Sequence, residues 1–163
     1  MLTLTLGCMY AGKTSALVKN IPAKDYIVID YARCDASYES TLSTHDNVQA
    51  PCTKTQKLLS IDMTPYTTIL INEAQFFDDL IPFVEQMKSK QIHIYGLDGD
   101  FKQERFGDIL SLIPKCDSYV KLYAKCKCGE MAPFSKRLSI NLEQFSPDDR
   151  YRPSCRHCLT FDE

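Results

Sequence analysis

The stretch that decides the fold is residues 7–14, which read GCMYAGKT. It has the spacing of a phosphate loop, in which two glycines enclose four residues and a lysine and a hydroxyl residue follow. An alternating apolar run precedes it at residues 2–6, and residues 15–19 can continue it as a helix. A strand, loop and helix in this order aim backbone N–H groups at phosphates, whereas the alternative, a glycine turn beside a surface lysine, needs no such context. We therefore predict a nucleoside triphosphate site here.

The residue types within this loop each suit phosphate binding. Glycine allows the backbone to approach the ligand closely, Lys13 places a cation on the β and γ oxygens, and the Thr14 hydroxyl can coordinate magnesium. The predicted ATP-binding residues are Gly7, Met9, Tyr10, Ala11, Gly12, Lys13, Thr14 and Ser15.

Outward from the loop, short β-rich runs alternate with amphipathic stretches as far as residue 124. Strands are predicted at 2–6, 26–30, 67–72, 91–96 and 118–124, and helical segments at 54–59, 78–90 and 106–113. The rest of 32–64 is predicted to be connecting loops. This rhythm predicts an α/β fold with a phosphate-loop NTPase-like parallel sheet and helices on both faces.

The composition changes at residue 125, and we predict an α/β nucleotide-binding domain at 1–124 and a small zinc-ribbon-like domain at 125–163. Four of the eight cysteines lie in this second segment, which is too polar to order itself around a core. They are Cys126, Cys128, Cys155 and Cys158, in the pattern CxC followed by CxxC. Four thiolates suit a tetrahedral structural zinc, and free thiols are the alternative.

Charge and hydropathy exclude several classes of protein. A net charge of −2 gives no broad basic surface for nucleic acid, and no apolar run reaches the roughly 18–20 residues that span a bilayer. The N-terminus shows neither the basic region nor the small-residue cleavage site that a secretory signal would have. We therefore expect a cytoplasmic protein without disulfides, nucleic-acid partner or membrane span.

A second candidate site lies at the end of the predicted strand 67–72, where open α/β sheets bind ligands. Glu73 can accept a proton from an attacking hydroxyl, although a solvated loop carboxylate is the alternative. Asn72 is a weak candidate for magnesium, because an aspartate would be usual here. We expect Asn72→Asp to strengthen the magnesium site and leave the fold unchanged.

Three further stretches resemble the thymidine kinases of the cellular and poxviral type. They read EAQFF at 73–77, GLDGDF at 96–101 and FGDILSLIP at 106–114, and the resemblance covers essentially the whole chain. It implies an ATP-dependent enzyme that transfers the γ-phosphoryl to the 5′-hydroxyl of thymidine, and possible activity on deoxyuridine, forming dTMP and ADP. It makes Glu73 the general base and magnesium the metal that accompanies ATP.

The resemblance also implies a nucleoside site and an assembly. It surrounds the base and sugar with Gln75, Phe76, Leu97, Phe101 and Tyr151, for which ordinary core packing is the alternative. It makes residues 139–150 a lasso loop that covers the nucleoside, and it implies a homotetramer.

This chain departs from the family pattern at three places. The first cysteine pair is CxC rather than CxxC, Ser37 stands where an arginine is usual, and Pro147, Asp148 and Asp149 replace paired glycines in the lasso loop. Asn72, Ser37 and the shortened cysteine pair together leave a catalytically weakened nucleotide-binding regulator as the alternative. A phosphate-loop NTPase acting on nucleic acid is a third possibility, against which the acidic balance argues.

Overall fold

The computed structural model describes residues 1–32, 41–44, 47–146 and 148–161. In chain order its strands are β1 (Leu2–Gly7), β2 (Tyr26–Tyr31), β3 (Thr41–Ser43), β4 (Gln49–Pro51), β5 (Thr53–Thr55), β6 (Thr68–Ile71), β7 (Gln91–Gly96), β8 (Ser118–Leu122), β9 (Ala124–Lys125), β10 (Met131–Ala132), β11 (Phe134–Arg137) and β12 (Tyr151–Ser154). The α-helices are α1 (Lys13–Lys19), α2 (Leu80–Gln86) and α3 (Arg156–Phe161). Short 3₁₀ helices lie at Leu58–Ser60, Ala74–Phe76 and Ile109–Lys115.

Six strands form a parallel sheet in the order β5-β2-β6-β7-β1-β8. The middle of the sheet is apolar because both of its faces are covered, and all four residues of β6 are buried. The α/β prediction is therefore confirmed.

The two faces of the sheet carry separate hydrophobic clusters because successive side chains point to opposite faces. On one face, Ile69 and Ile71 of β6 pack with Leu80 and Phe83 of α2. On the other, Leu70 packs with Leu17 of α1 and with Val28 and Tyr95. Helices thus cover both faces, as predicted.

Several predicted boundaries were wrong. The predicted helix at 54–59 is instead β5, part of a connecting turn and the 3₁₀ helix Leu58–Ser60, and the predicted loops before it contain a hairpin of β3 and β4. Strand β5 is polar and half-exposed, because at the sheet edge its backbone pairing with β2 needs no apolar pattern. Helix α2 ends at Gln86, four residues early, because the backbone turns there to enter β7 and Lys90 N–H donates to Met87 O.

Hydrogen bonds connect the C-terminal segment to the phosphate loop. The Cys8 thiol donates to Ala132 O at 3.2 Å, and the Met9 backbone N–H donates to Ser135 Oγ at 3.0 Å. In the described part of the chain, every helix is too short or too polar to cross a bilayer.

Candidate active site

Most of the predicted ATP- and nucleoside-binding residues, together with Glu73, meet at the carboxyl edge of the parallel sheet. Leu6 pairs with Gly96 and Ile71 with Ile94, so that the loops after β1, β6 and β7 begin at the same edge. Between these loops lies a cavity of about 240 Å³. Its lining residues are Met9, Tyr10, Gly12, Lys13, Thr14, Ser15, Glu73, Phe76, Leu97, Phe145, Ser146, Asp149 and Tyr151.

The phosphate loop turns into α1 at Gly12, whose φ of 83° lies in the left-handed region that glycine tolerates. Lys13 is buried, and its ammonium donates to Cys8 O at 2.7 Å. Burial lowers the pKa of Lys13, while the nearby Glu73, the Cys8 thiol and Asp98 oppose that shift. Gly7 and Ala11 belong to the same loop but do not line the cavity.

Glu73 borders the cavity from the loop after β6 and faces the phosphate loop. Its backbone has φ 51° and ψ 39°, a left-handed conformation that is uncommon for a residue with a side chain. Its carboxylate oxygen Oε2 accepts a hydrogen bond from Gln75 Nε2 at 2.6 Å. The candidate general base, Glu73, and the candidate triphosphate site therefore share one cavity.

Asn72 is buried and contacts β2 rather than the cavity. Its Nδ2 donates to Asp30 Oδ1 at 2.9 Å. Burial raises the pKa of Asp30, the Asn72 amide opposes that rise, and the Glu73 carboxylate adds to it. Sequence reasoning gave Asp30 no role, because it is only the polar end of an apolar run.

This contact changes the expectation for Asn72→Asp. The variant places two carboxyl groups in contact at a partly buried site, where they cannot both ionise without cost. We expect the free energy of unfolding to fall by about 1–3 kcal/mol at neutral pH, the cost of leaving a buried polar group unsatisfied. The loss should shrink as pH falls, because one proton restores a hydrogen bond between the two groups. Urea denaturation at several pH values measures it.

The control for this prediction is the double variant Asp30→Asn/Asn72→Asp, which restores one amide and one carboxylate with their positions exchanged. We expect it to recover most of the lost stability. A single Asn72→Asp variant as stable as the unmodified chain at neutral pH would show that the contact does not matter.

The nucleoside candidates separate into two groups. Phe76, Leu97 and Tyr151 line the cavity, whereas Gln75 and Phe101 do not. The Phe76 ring stacks on Tyr31 with centroids 5.1 Å apart, and Phe145 meets it edge-on at 4.9 Å. The Phe101 ring instead lies under the Arg137 guanidinium at 4.0 Å.

Arg137 is a residue that the sequence analysis missed, and it organises the lasso loop. Its Nε lies 3.2 Å from Asp149 Oδ2 and donates to Tyr151 OH at 3.1 Å. Its Nη1 donates to Asn141 O at 2.8 Å and to Glu143 O. The side chain is 1% exposed. A charged residue in an alternating strand, FSKR at 134–137, was the available signal, but its partners lie elsewhere in the chain.

Phe145, Ser146 and Asp149 also line the cavity without having been assigned a role. They lie in the lasso loop, which Gln144 connects to the segment after β7. Gln144 Nε2 donates to Asp100 Oδ2 and to Arg105 O, both at 2.9 Å. The sequence pointed only to the loop as a whole, because its residues show no periodicity.

Two of the departures from the family pattern, Ser37 and Pro147, lie outside the described residues.

The four predicted zinc ligands form one cluster in the C-terminal segment. The sulfur atoms of Cys126, Cys128, Cys155 and Cys158 all lie within 4.8 Å of one another. Tetrahedral zinc with Zn–S bonds of about 2.3 Å needs sulfurs roughly 3.8 Å apart, so the cluster can hold a structural zinc with small adjustments. Cys126 and Cys128 lie at the turn of the β9–β10 hairpin, where Gly129 has φ 94°. The shortened CxC turn thus still brings both thiols to the cluster.

Comparisons with known proteins agree with this arrangement. The family model described as thymidine kinase matches residues 1–159. The thymidine kinase of Vaccinia virus (strain Western Reserve) is 34% identical over 169 aligned positions, and that of Raccoon poxvirus is 36% identical; each alignment covers 95% of this chain and 94% of the relative. The cytosolic thymidine kinase of Bos taurus is 35% identical over 165 positions, covering 94% of this chain and 69% of the relative. With a phosphate loop and a carboxylate facing each other across one cavity, and a family match along almost its whole length, the chain belongs to the thymidine kinase family.

Proposed function

We propose that this chain transfers the γ-phosphoryl of ATP to the 5′-hydroxyl of thymidine, and of deoxyuridine, forming the 5′-monophosphate and ADP. The observation that carries the proposal is the shared cavity, in which Lys13 and Glu73 face each other beside Phe76 and Leu97. Family membership supports thymidine phosphorylation in general, and the cavity supports the assignment of roles to residues.

The phosphate loop binds the triphosphate through its backbone N–H groups, and Lys13 neutralises charge that develops on the γ-phosphoryl oxygens. Lys13 is suited to this role because burial strengthens its electrostatic interactions. The aromatic face of Phe76 and the wall formed by Leu97 and Tyr151 bind the planar base.

Glu73 acts as the general base. The nucleoside 5′-oxygen attacks the γ-phosphorus, the bond from that phosphorus to the β–γ bridging oxygen breaks, and ADP leaves with that bond's electron pair. The proton of the 5′-hydroxyl passes to the Glu73 carboxylate. Positioning in line with the leaving group supplies much of the acceleration, because phosphoryl transfer demands little covalent chemistry from the protein.

Magnesium fits only part of the predicted donor set. Thr14 lines the cavity and can offer its hydroxyl oxygen, whereas Asn72 does not line the cavity. When bound, the ion would neutralise negative charge on the triphosphate. We propose Thr14 as the protein ligand of magnesium. Asn72 lies outside the cavity, where it binds Asp30, and we no longer propose it as a ligand.

A structural zinc in the cysteine cluster would order the C-terminal segment. Cys155→Ser should lose about one zinc per chain, because three thiolates bind zinc more weakly than four, and should lower the thermal midpoint. Metal analysis and thermal unfolding measure these effects. The matched control is Cys116→Ser, which changes a cysteine outside the cluster whose thiol donates to Ile113 O. Equal zinc content in both variants would contradict this assignment.

The proposed reaction is tested with γ-labelled ATP and thymidine, deoxyuridine or deoxycytidine as acceptor. Labelled 5′-monophosphate from thymidine is the expected product, with a smaller yield from deoxyuridine. Nucleotide and nucleoside binding without product would instead support the weakened regulatory homologue, which the neutral Asn72 favours.

Two further properties belong to the same proposal. A homotetramer is proposed from the family resemblance, and sedimentation of the purified chain tests it. The bovine relative is named cytosolic, which supports a cytoplasmic location for this chain.

A further inference from the structure

The side-chain amide of Gln75 lies between the base candidate and the wall of the cavity. Its Nε2 donates to Glu73 Oε2 at 2.6 Å, and its Oε1 accepts the Leu97 backbone N–H at 3.0 Å. A backbone N–H can only donate, so it requires the amide oxygen and leaves the amide nitrogen facing Glu73. The orientation of the amide is therefore fixed by its surroundings.

Two glycines leave the space that Gln75 occupies. A Cβ at Gly96 would lie 2.6 Å from Gln75 Oε1, and a Cβ at Gly107 would lie 2.1 Å from Gln75 O. Real Cβ atoms do not approach other atoms so closely. Gln75 itself is 3% exposed and does not line the cavity. Its packing thus serves a contact with other protein groups.

Glu73 and Gln75 belong to one tight turn. Glu73 has a left-handed backbone, and the 3₁₀ helix Ala74–Phe76 follows it directly, with Phe76 N–H donating to Glu73 O at 3.1 Å. Such a backbone persists only where neighbouring contacts hold it. The Gln75 amide provides one of these contacts, because it ties the Glu73 side chain to the backbone after β7.

We propose that Gln75 is a positioning residue for the general base: its amide holds Glu73 Oε2 and so presents the carboxylate to the nucleoside hydroxyl in one orientation. The proposal rests on the function proposed above, in which Glu73 accepts the proton. Leu97 lines the cavity and is proposed to contact the nucleoside. The Gln75 amide, which binds both Leu97 and Glu73, therefore also fixes the position of the general base relative to the nucleoside site. Among the described residues, the charged groups that interact electrostatically with Glu73 include Lys13 across the cavity and Asp30 from β2.

The variants Gln75→Glu and Gln75→Met separate positioning from packing. Glutamate keeps an acceptor for Leu97 N–H, but its other oxygen meets Glu73 and the two carboxyl groups must share a proton. The pair then releases that proton only at higher pH. Methionine keeps the length and removes both hydrogen bonds. Gln86→Glu makes the same chemical change on the exposed face of α2 and serves as the matched control.

The experiment measures kcat and both KM values from pH 5.5 to 9 with ATP and thymidine, together with thermal unfolding. For Gln75→Glu we expect the acid limb of the kcat profile to move up by about one pH unit or more. For Gln75→Met we expect kcat to fall by about 10- to 100-fold with little change in KM for ATP, since a misplaced base loses efficiency. Gln86→Glu should leave the profile unchanged.

If the midpoint of the acid limb of the kcat profile is the same in Gln75→Glu as in the unmodified chain, the proposal is wrong. A uniform fall in kcat without this shift would not support it, because the loss of a merely structural residue also lowers kcat uniformly. Gln75→Glu remains informative if Gln75→Met does not fold, since it retains the bond to Leu97. The unmodified chain and Glu73→Gln separate the remaining outcomes. If the unmodified chain forms no 5′-monophosphate from thymidine, the proposed function has failed. If Glu73→Gln is as active as the unmodified enzyme, the assignment of Glu73 as the general base has failed. If Glu73→Gln is inactive and Gln75→Glu does not shift the acid limb of the kcat profile, only the proposal for Gln75 is wrong.

Discussion

Glu73→Gln is expected to lower kcat for thymidine phosphorylation by about 10²- to 10⁴-fold, the range that a general base contributes. Glutamine has the same shape as glutamate and still accepts the hydrogen bond from Gln75, but its amide cannot take the proton of the 5′-hydroxyl. The affinities for ATP and thymidine should change little, because the phosphate loop and the aromatic wall are untouched. Steady-state kinetics and equilibrium binding of each substrate measure the two effects separately.

The matched control for this prediction is Glu104→Gln, which makes the same change on an exposed side chain beyond the cavity. It should retain the kcat of the unmodified chain. A Glu73→Gln variant that loses less than a factor of ten would show that another group accepts the proton. Loss of ATP binding in the same variant would show that Glu73 acts on the phosphate loop instead.

Arg137→Met is expected to raise KM for thymidine by about 100-fold or more, with a smaller effect on KM for ATP. The substitution removes the cation that pairs with Asp149 and the donors that bind Asn141 O, Glu143 O and the Tyr151 hydroxyl. Breaking a buried ion pair in this way costs about 3–5 kcal/mol. Part of this cost destabilises the lasso loop in its nucleoside-binding conformation. Every loss of about 1.4 kcal/mol in the stability of that conformation weakens nucleoside binding tenfold.

Arg156→Met is the matched control, because it makes the same substitution in the C-terminal segment at an exposed arginine. The Arg156 guanidinium lies over the Phe134 ring at 4.9 Å and has no part in the lasso loop. Its KM for thymidine should stay within about twofold, since an exposed cation–π contact contributes only about 0.5–1 kcal/mol. An unchanged thymidine KM in Arg137→Met would show that the loop closes without this network.

The roles proposed for Glu73 and Arg137 were reached by different routes. Glu73 could be chosen from the sequence alone, because a polar residue at the end of a buried parallel strand lies at the same edge of the sheet as the phosphate loop. Arg137 looks like an ordinary strand residue until its partners are known. Three of them come from residues 141–149, which have no regular pattern that could place them.

The sequence by itself determined the parallel sheet with helices on both faces, the phosphate loop, the position of Glu73 and the four-cysteine set. Each of these depends on spacing within a short segment, or on a count of one residue type, and such signals survive without knowledge of packing. Even the shortened CxC pair remained readable, because a hairpin turn can bring two alternate thiols to one point.

Only the tertiary structure decided the contacts that shape the site. Asn72 meets Asp30 across 42 positions of sequence, Gln75 reaches Leu97 across 22, and Met9 reaches Ser135 across 126. The parallel sheet brings segments together that are far apart in the chain, and the identity of such partners is set by strand order and register rather than by any local pattern. For this reason the sequence could name the base and the phosphate loop, but not the side chains that hold the base, the loop and the lasso in place.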